Sequence, residues 1–127
     1  MPFTTTHLER GIILQTFSGT INLLVMLEAQ ESAMRLLATI EENHIVAILD
    51  ISEATSSIYD LSISAVRQLI QADKDKTIGF VLVGASQGAK LAANIFKRAS
   101  NINLVYTDDI TYAPTIAHKM LDAYANK

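Results

Sequence analysis

The sequence predicts an α/β fold. The expected architecture is a mostly parallel sheet of four to five strands, packed with about four helices, in a single domain over residues 1–127. Three observations lead there. Short aliphatic runs alternate with stretches of helical period along the whole chain, the signature of βα units. Two of those runs, His44 to Ile51 and Ile78 to Val83, are apolar almost without a break. Strands buried on both faces of a parallel sheet read that way. No internal repeat, low-complexity tract or Pro/Gly-rich linker divides the chain.

Leu8 to Phe17 carries Ile12, Ile13, Leu14 and Phe17, is broken by Gly11 and is closed by Ser18-Gly19. It reads as one or two strands, with Gly11 at a bend or tight turn. From Asn22 to Asn43 the positions Leu23, Met26, Leu27, Ala33, Met34, Leu37 and Ile40 keep a helical period. Asn22 or Thr20 can cap this helix, and Glu41-Glu42-Asn43 ends it. His44 to Ile51 is the first buried strand. After a polar loop, Asp60 can cap a helix with Ile63, Val66, Leu69 and Ile70 on one face. Ile78 to Val83 is the next buried strand. The tight loop Gly84 to Gly88 then leads into a helix with Leu91, Ala92, Ile95, Phe96 and Ala99 inward. Ile102 to Tyr106 is the last strand. The final helix starts near Asp109 to Tyr112 and turns Ala113, Ile116, Ala117, Met120, Leu121 and Tyr124 to one side. Pro114 fits its first turn, where the missing amide would have no partner.

Composition narrows the function. A chain of 127 residues buries roughly two-thirds of its unfolded surface, so one core suffices. The absence of cysteine excludes disulfides, thiolate metal sites and a cysteine nucleophile, and agrees with a cytoplasmic address. A net charge of −3 and no tryptophan leave neither a basic field nor a stacking platform for nucleic acid. No secretory h-region opens the chain. The longest apolar stretches, Leu23 to Leu27 and Ile45 to Leu49, are too short to span a bilayer. Hydrophobic residues nevertheless make up 50% and charged residues 18%. That balance leaves apolar surface to cover, and a two-fold homodimer is the commonest way to cover it.

The order of elements and two local motifs resemble the STAS domains, named for sulfate transporters and anti-sigma-factor antagonists. Their wider group includes SpoIIAA-like and lipid-binding Sec14-like relatives. The first buried strand ends in Leu49-Asp50-Ile51-Ser52, which is similar to the family's L-D-[LV]-S. Phe96 to Asn101, then Val105-Tyr106-Thr107-Asp108-Asp109 through Ala117, is similar to the family's ending, where an acidic pair opens the last helix. The resemblance covers nearly the whole chain. It implies a non-enzymatic regulatory or protein-interaction domain. The anti-sigma antagonists carry a phosphorylatable serine in a D-S-[ST]-G element. The matching stretch here, Ser57-Ile58-Tyr59-Asp60-Leu61-Ser62, lacks that element. Ser56, Ser57 and Ser62 are the nearby candidates for a phosphate, since a helix start favours one. As ordinary loop serines they would form turns and caps.

Other residues are weighed for chemistry. Gly84-Ala85-Ser86-Gln87-Gly88 has the G-x-S-x-G spacing of a nucleophile elbow between strand and helix. Asp108 or Asp109 and then His118 follow in hydrolase order. However, no glycine-rich oxyanion loop precedes the motif, and helical phase puts His118 with Thr115, Lys119 and Asp122 on the solvent side. No catalytic residue is therefore assigned, and Ser86 reads as a helix N-cap. The same loop is the candidate anion site, with Gly84, Ser86, Gly88 and Lys90 converging, although the Walker pattern is absent. Asp50 at one strand end and Ser86 after the next lack the acidic pair and late lysine of a receiver domain. His7, His44 and His118 lie on separate elements with no carboxylate at ligand spacing, so neither a metal nor a cofactor is expected. The first helix is apolar nearly all round at Leu23 to Leu27. Leu24 and Val25 fall outward, as a dimer seam or as a groove for a protein partner or small apolar ligand. Met26 and Met34 suit an adaptable contact surface.

Overall fold

A hairpin opens the chain and sets one edge of the sheet. In the computed structural model, which describes residues 2–20, 22–54, 77–85, 90, 94, 97, 98 and 103–125, β1 (Phe3–Glu9) pairs antiparallel with β2 (Ile12–Gly19). β3 (Ile45–Ala54), β4 (Thr77–Val83) and β5 (Asn103–Thr107) then add in sequence order. The pairings from β2 to β5 are parallel. The result is a five-stranded mixed sheet. The described helices are α1 (Leu23–Leu37) and α2 (Ala113–Ala125). The helix expected after Asp60 lies outside the described residues. Of the helix expected after Gly88, Lys90, Asn94, Lys97 and Arg98 are described, with helical backbone.

Side chains alternate across the sheet, so each strand feeds two cores. Ile12, Val46, Ile48, Val81 and Val83 face α2 and meet its Ala113, Ala117, Met120 and Leu121. On the opposite face Ile13, Ile45, Ala47 and Phe80 meet Ala33 and Leu37 of α1. Phe3, Phe17, Ile51 and Leu82 continue that layer around Ala29. β3 is central and supplies both layers, which is why its sequence is aliphatic without alternation.

Gly11 is required where the hairpin turns. A Cβ there would lie 2.2 Å from the His44 carbonyl oxygen, and the Gly11 carbonyl accepts from Val46 N–H at 2.8 Å. β2 and β3 thus meet backbone to backbone at their first pairing. Arg10 beside it has φ 48°, a left-handed conformation uncommon outside glycine.

The first helix departs from expectation in rotation and length. Its buried stripe is Ala29, Ala33 and Leu37, with Val25 and Met26 partly buried alongside. Leu27, part of the apolar period, is 48% exposed, and Met34, read also as a contact-surface residue, is 46% exposed. Small alanines at i and i+4 let the helix approach the strands closely, and this sets its rotation. Asn22 is the cap, its side chain accepting from Val25 N–H at 2.9 Å. The helix stops at Leu37 rather than near Asn43. The Thr39 hydroxyl donates to the Leu36 carbonyl at 2.7 Å, a local bond that competes with helix continuation.

Candidate functional site

Parallel strands align their carboxyl ends, and ligands of open α/β sheets bind beyond those ends where the strand order reverses; here the order runs β1 to β5 without a reversal. In this chain the ends of β3, β4 and β5 form that crest. Asp50 pairs in register with Val83, and Val83 with Thr107. Beyond them the chain presents Ser52 and Glu53, then Gly84 and Ala85, then Asp108 and Asp109.

Gly84 is locked into this crest. Its φ is +72°, and a Cβ would lie 2.5 Å from the Cβ of Ser52 and 2.7 Å from its Cα. Its amide donates to the Thr107 carbonyl at 3.0 Å. One residue thereby ties β4 to both neighbouring strand ends. Asp50 is engaged locally, accepting from Ser52 N–H at 3.1 Å and from its hydroxyl at 2.6 Å. Asp109 similarly accepts from Thr111 N–H at 2.9 Å and from its hydroxyl at 2.6 Å. Those two bonds hold the Asp109 carboxyl below its ordinary pKa. They also shape the turn of Ile110, Thr111 and Tyr112 that leads into α2. Ile110 and Tyr112 remain 39% and 46% exposed. The crest therefore pairs two exposed apolar side chains with the acids Glu53, Asp108 and Asp109.

Lys90 sits beside β5. Its ammonium lies 5.9 Å from the centre of the Tyr106 ring. The Tyr106 hydroxyl donates to Asn94 Oδ1 at 2.8 Å, with the Lys90 carbonyl as an alternative acceptor at 3.2 Å. Burial pushes that phenol above its usual pKa. Of the anion-site candidates, Gly84 and Lys90 are described, whereas Ser86 and Gly88 lie outside the described residues. So do Ser56, Ser57 and Ser62.

His118 is not on an open solvent face. Its Nε2 donates to Glu9 Oε1 at 2.7 Å, and its Nδ1 accepts from Arg10 at 3.3 Å. Arg10 also lies 3.6 Å from Asp122. Helical phase alone could not show this, because the β1–β2 turn folds over that side of α2. The turn belongs to the amino end of the parallel strands, where Gly11 bonds to Val46 and Val46 pairs with Gly79. Gly84 is five residues further along β4, roughly 16 Å at the rise of a strand. A general base must come within about 3 Å of the proton it takes. The geometry does not bring His118 to Gly84.

The outward pair expected on α1 is divided. Leu24 is 63% exposed. Val25 is instead turned onto the cluster of Phe3, Phe17 and Ile51, a correction that follows from the alanine stripe. His44, exposed just before β3, packs against Tyr124 with ring centres 4.4 Å apart and the rings tilted by 56°.

A groove that the sequence did not signal runs between β1 and α1. It encloses about 480 Å³ and is lined by Phe3, Thr4, Thr5, Glu28, Ser32 and Arg35, among others. Its floor is a polar network. Buried Gln15 donates to the Ala29 carbonyl at 2.8 Å and to Thr5 Oγ1 at 3.2 Å, and the Ser32 hydroxyl donates to Thr5 Oγ1 at 3.0 Å. Its lining mixes the Phe3 ring and the aliphatic stems of Glu28 and Arg35 with the hydroxyls of Thr4, Thr5 and Ser32. Among the described residues, no cluster of three or more His, Asp or Glu could hold a metal, and no helix is long and apolar enough to cross a membrane.

These features define an α/β domain with a STAS-like fold. Comparison with solved structures agrees. The chain is similar to an uncharacterised protein of the DUF3478 family from Shewanella loihica, which has a SpoIIAA-like fold. The TM-score is 0.65 at 14% identity, covering 91% of each chain. No protein-family model matches the chain, and no curated protein matches it.

Proposed function

We propose that this chain is a single STAS-like domain acting in the cytosol as a non-enzymatic regulatory or protein-interaction module. The observation that carries this reading is the crest. Asp50 and Asp109 are each engaged by the amide and hydroxyl of the residue two positions on, and the one histidine of α2 is anchored at the far end of the sheet. Exposed Ile110 and Tyr112 beside Asp108 and Asp109 fit a partner that offers apolar contacts rimmed by basic residues.

The competing reading, a hydrolase using Ser86, is tested with small activated esters. Wild type, Ser86→Ala and His118→Ala are expected to give the same background rate. Turnover abolished in both variants would overturn the proposal.

A further inference from the structure

We propose that two copies of this chain join edge to edge through β1, with α1 of each lying beside α1 of the other. The inference rests on which backbone groups β1 leaves open and on the charges above them.

The register of the hairpin settles the first point. Phe3 lies opposite Phe17, and Ser18 N–H donates to the Pro2 carbonyl at 2.8 Å. Pro2 and Ser18 are therefore a hydrogen-bonded pair. Antiparallel ladders alternate bonded and non-bonded pairs. Thr4 and Thr6 consequently direct their amides and carbonyls to β2, while Phe3, Thr5 and His7 direct theirs away from it. β1 is the terminal strand of the sheet. Exposed edges are commonly blunted by lysine, proline or a bulge. Here Pro2 and the bulge between His7 and Glu9 flank the open stretch, and none of these devices falls within it. Its residues are mainly threonines, which pair well across strands.

The second point selects a second copy as the occupant. A two-fold axis through Thr5 places Thr5 against its own counterpart and Phe3 against His7. Ser32 lies close to that axis, because its hydroxyl bonds to Thr5. Along the same outward stripe of α1, Glu28 lies one turn before Ser32 and Arg35 about one turn after it. Both line the groove at the edge. Arg35 is 74% exposed and pairs with Glu31 of its own helix. The two-fold reverses one helix against the other and brings Arg35 of each copy to Glu28 of the other. Glu31 lines the same groove and holds Arg35 from its own helix, so across the axis each Arg35 lies between its own Glu31 and the Glu28 of the other copy, and opposite charges meet as an isologous contact needs.

Sedimentation equilibrium and amide hydrogen exchange test this together. Wild type is expected to show twice the 13.9 kDa of one chain. The Thr5 and His7 amides should become protected as concentration rises, while the Thr4 and Thr6 amides stay protected throughout. Arg35→Glu should weaken association roughly tenfold or more, since it sets like charges across the axis. Adding Glu28→Arg to Arg35→Glu should restore association, because the pair is then reversed rather than broken. A monomer at high concentration would overturn the proposal. So would a dimer indifferent to both variants. Protection of Thr5 and His7 only on adding a foreign extended peptide would assign the edge to that peptide and equally overturn self-pairing.

Discussion

Gly84→Ala is expected to lower the unfolding free energy by about 2–5 kcal/mol. Two costs combine. A left-handed backbone at φ +72° costs a residue with a Cβ about 1–2 kcal/mol. The new Cβ would also lie 2.7 Å from the Ser52 Cα, which cannot rotate away as a side chain can. Such overpacking typically costs about 1–3 kcal/mol more. Gly19 is the internal control. It has the same φ of +72°, but nothing lies within 4 Å of its Cβ position. Gly19→Ala should therefore show the conformational cost alone. Denaturant unfolding of both variants measures the difference. Equal losses would mean that β3 does not press against Gly84 as described.

Ile48→Ala should cost about 2–5 kcal/mol, in the range for truncating a buried aliphatic side chain. Ile48 is fully buried in the middle of the central strand, against Val81 and α2. The same experiment at Leu24, 63% exposed, should move stability by no more than about 0.5 kcal/mol. Comparable losses at the two positions would contradict the assignment of inner and outer faces.

The contrast between these residues shows what was legible in the sequence. β3 and β4 announced themselves because both of their faces are covered, so their sequences are aliphatic throughout. The start of α2 and most of its inward stripe were legible for a related reason: Ala113, Ile116, Ala117, Met120 and Leu121 keep one helical period, while Tyr124, expected on the same side, is 40% exposed because the last turn runs past the sheet. β1 was not legible before Leu8. Its Thr4-Thr5-Thr6 run lacks apolar alternation, because an edge strand covered on one side by a polar network has little to bury. The inward set of α1 was legible in part: Met26, Ala33, Leu37 and Ile40 are buried or partly buried, whereas Leu27 is exposed, because Leu23 to Leu27 is apolar in every direction and gives no phase. Ala29, which the periodic set left out, completes the stripe with Ala33 and Leu37 and is too small to signal burial by hydrophobicity.

The candidate site divides in the same way. Gly84 stood out as a strand-end glycine, and its left-handed φ supplies the reason it is glycine. The engagement of Asp50 and Asp109 by neighbours two residues away follows from their short side chains. The anchoring of His118 by Glu9 and Arg10 did not show, because it joins positions more than a hundred residues apart. The groove above β1 did not show either. It depends on Gln15, Thr5 and Ser32 meeting from separate elements, and each alone reads as an ordinary surface residue.

Capture with a paired bait tests the central claim most directly. Immobilised wild type and a crest variant, Tyr112→Ala with Asp108→Lys, are exposed to lysate of the source cells, and retained proteins are quantified. The account predicts a protein retained by wild type and lost from the variant, with retention falling as salt rises because Asp108 is exposed. A partner held equally by both baits would contradict the crest as the contact surface. No partner at all, beside Ser86-dependent turnover of an ester, would contradict binding as the function.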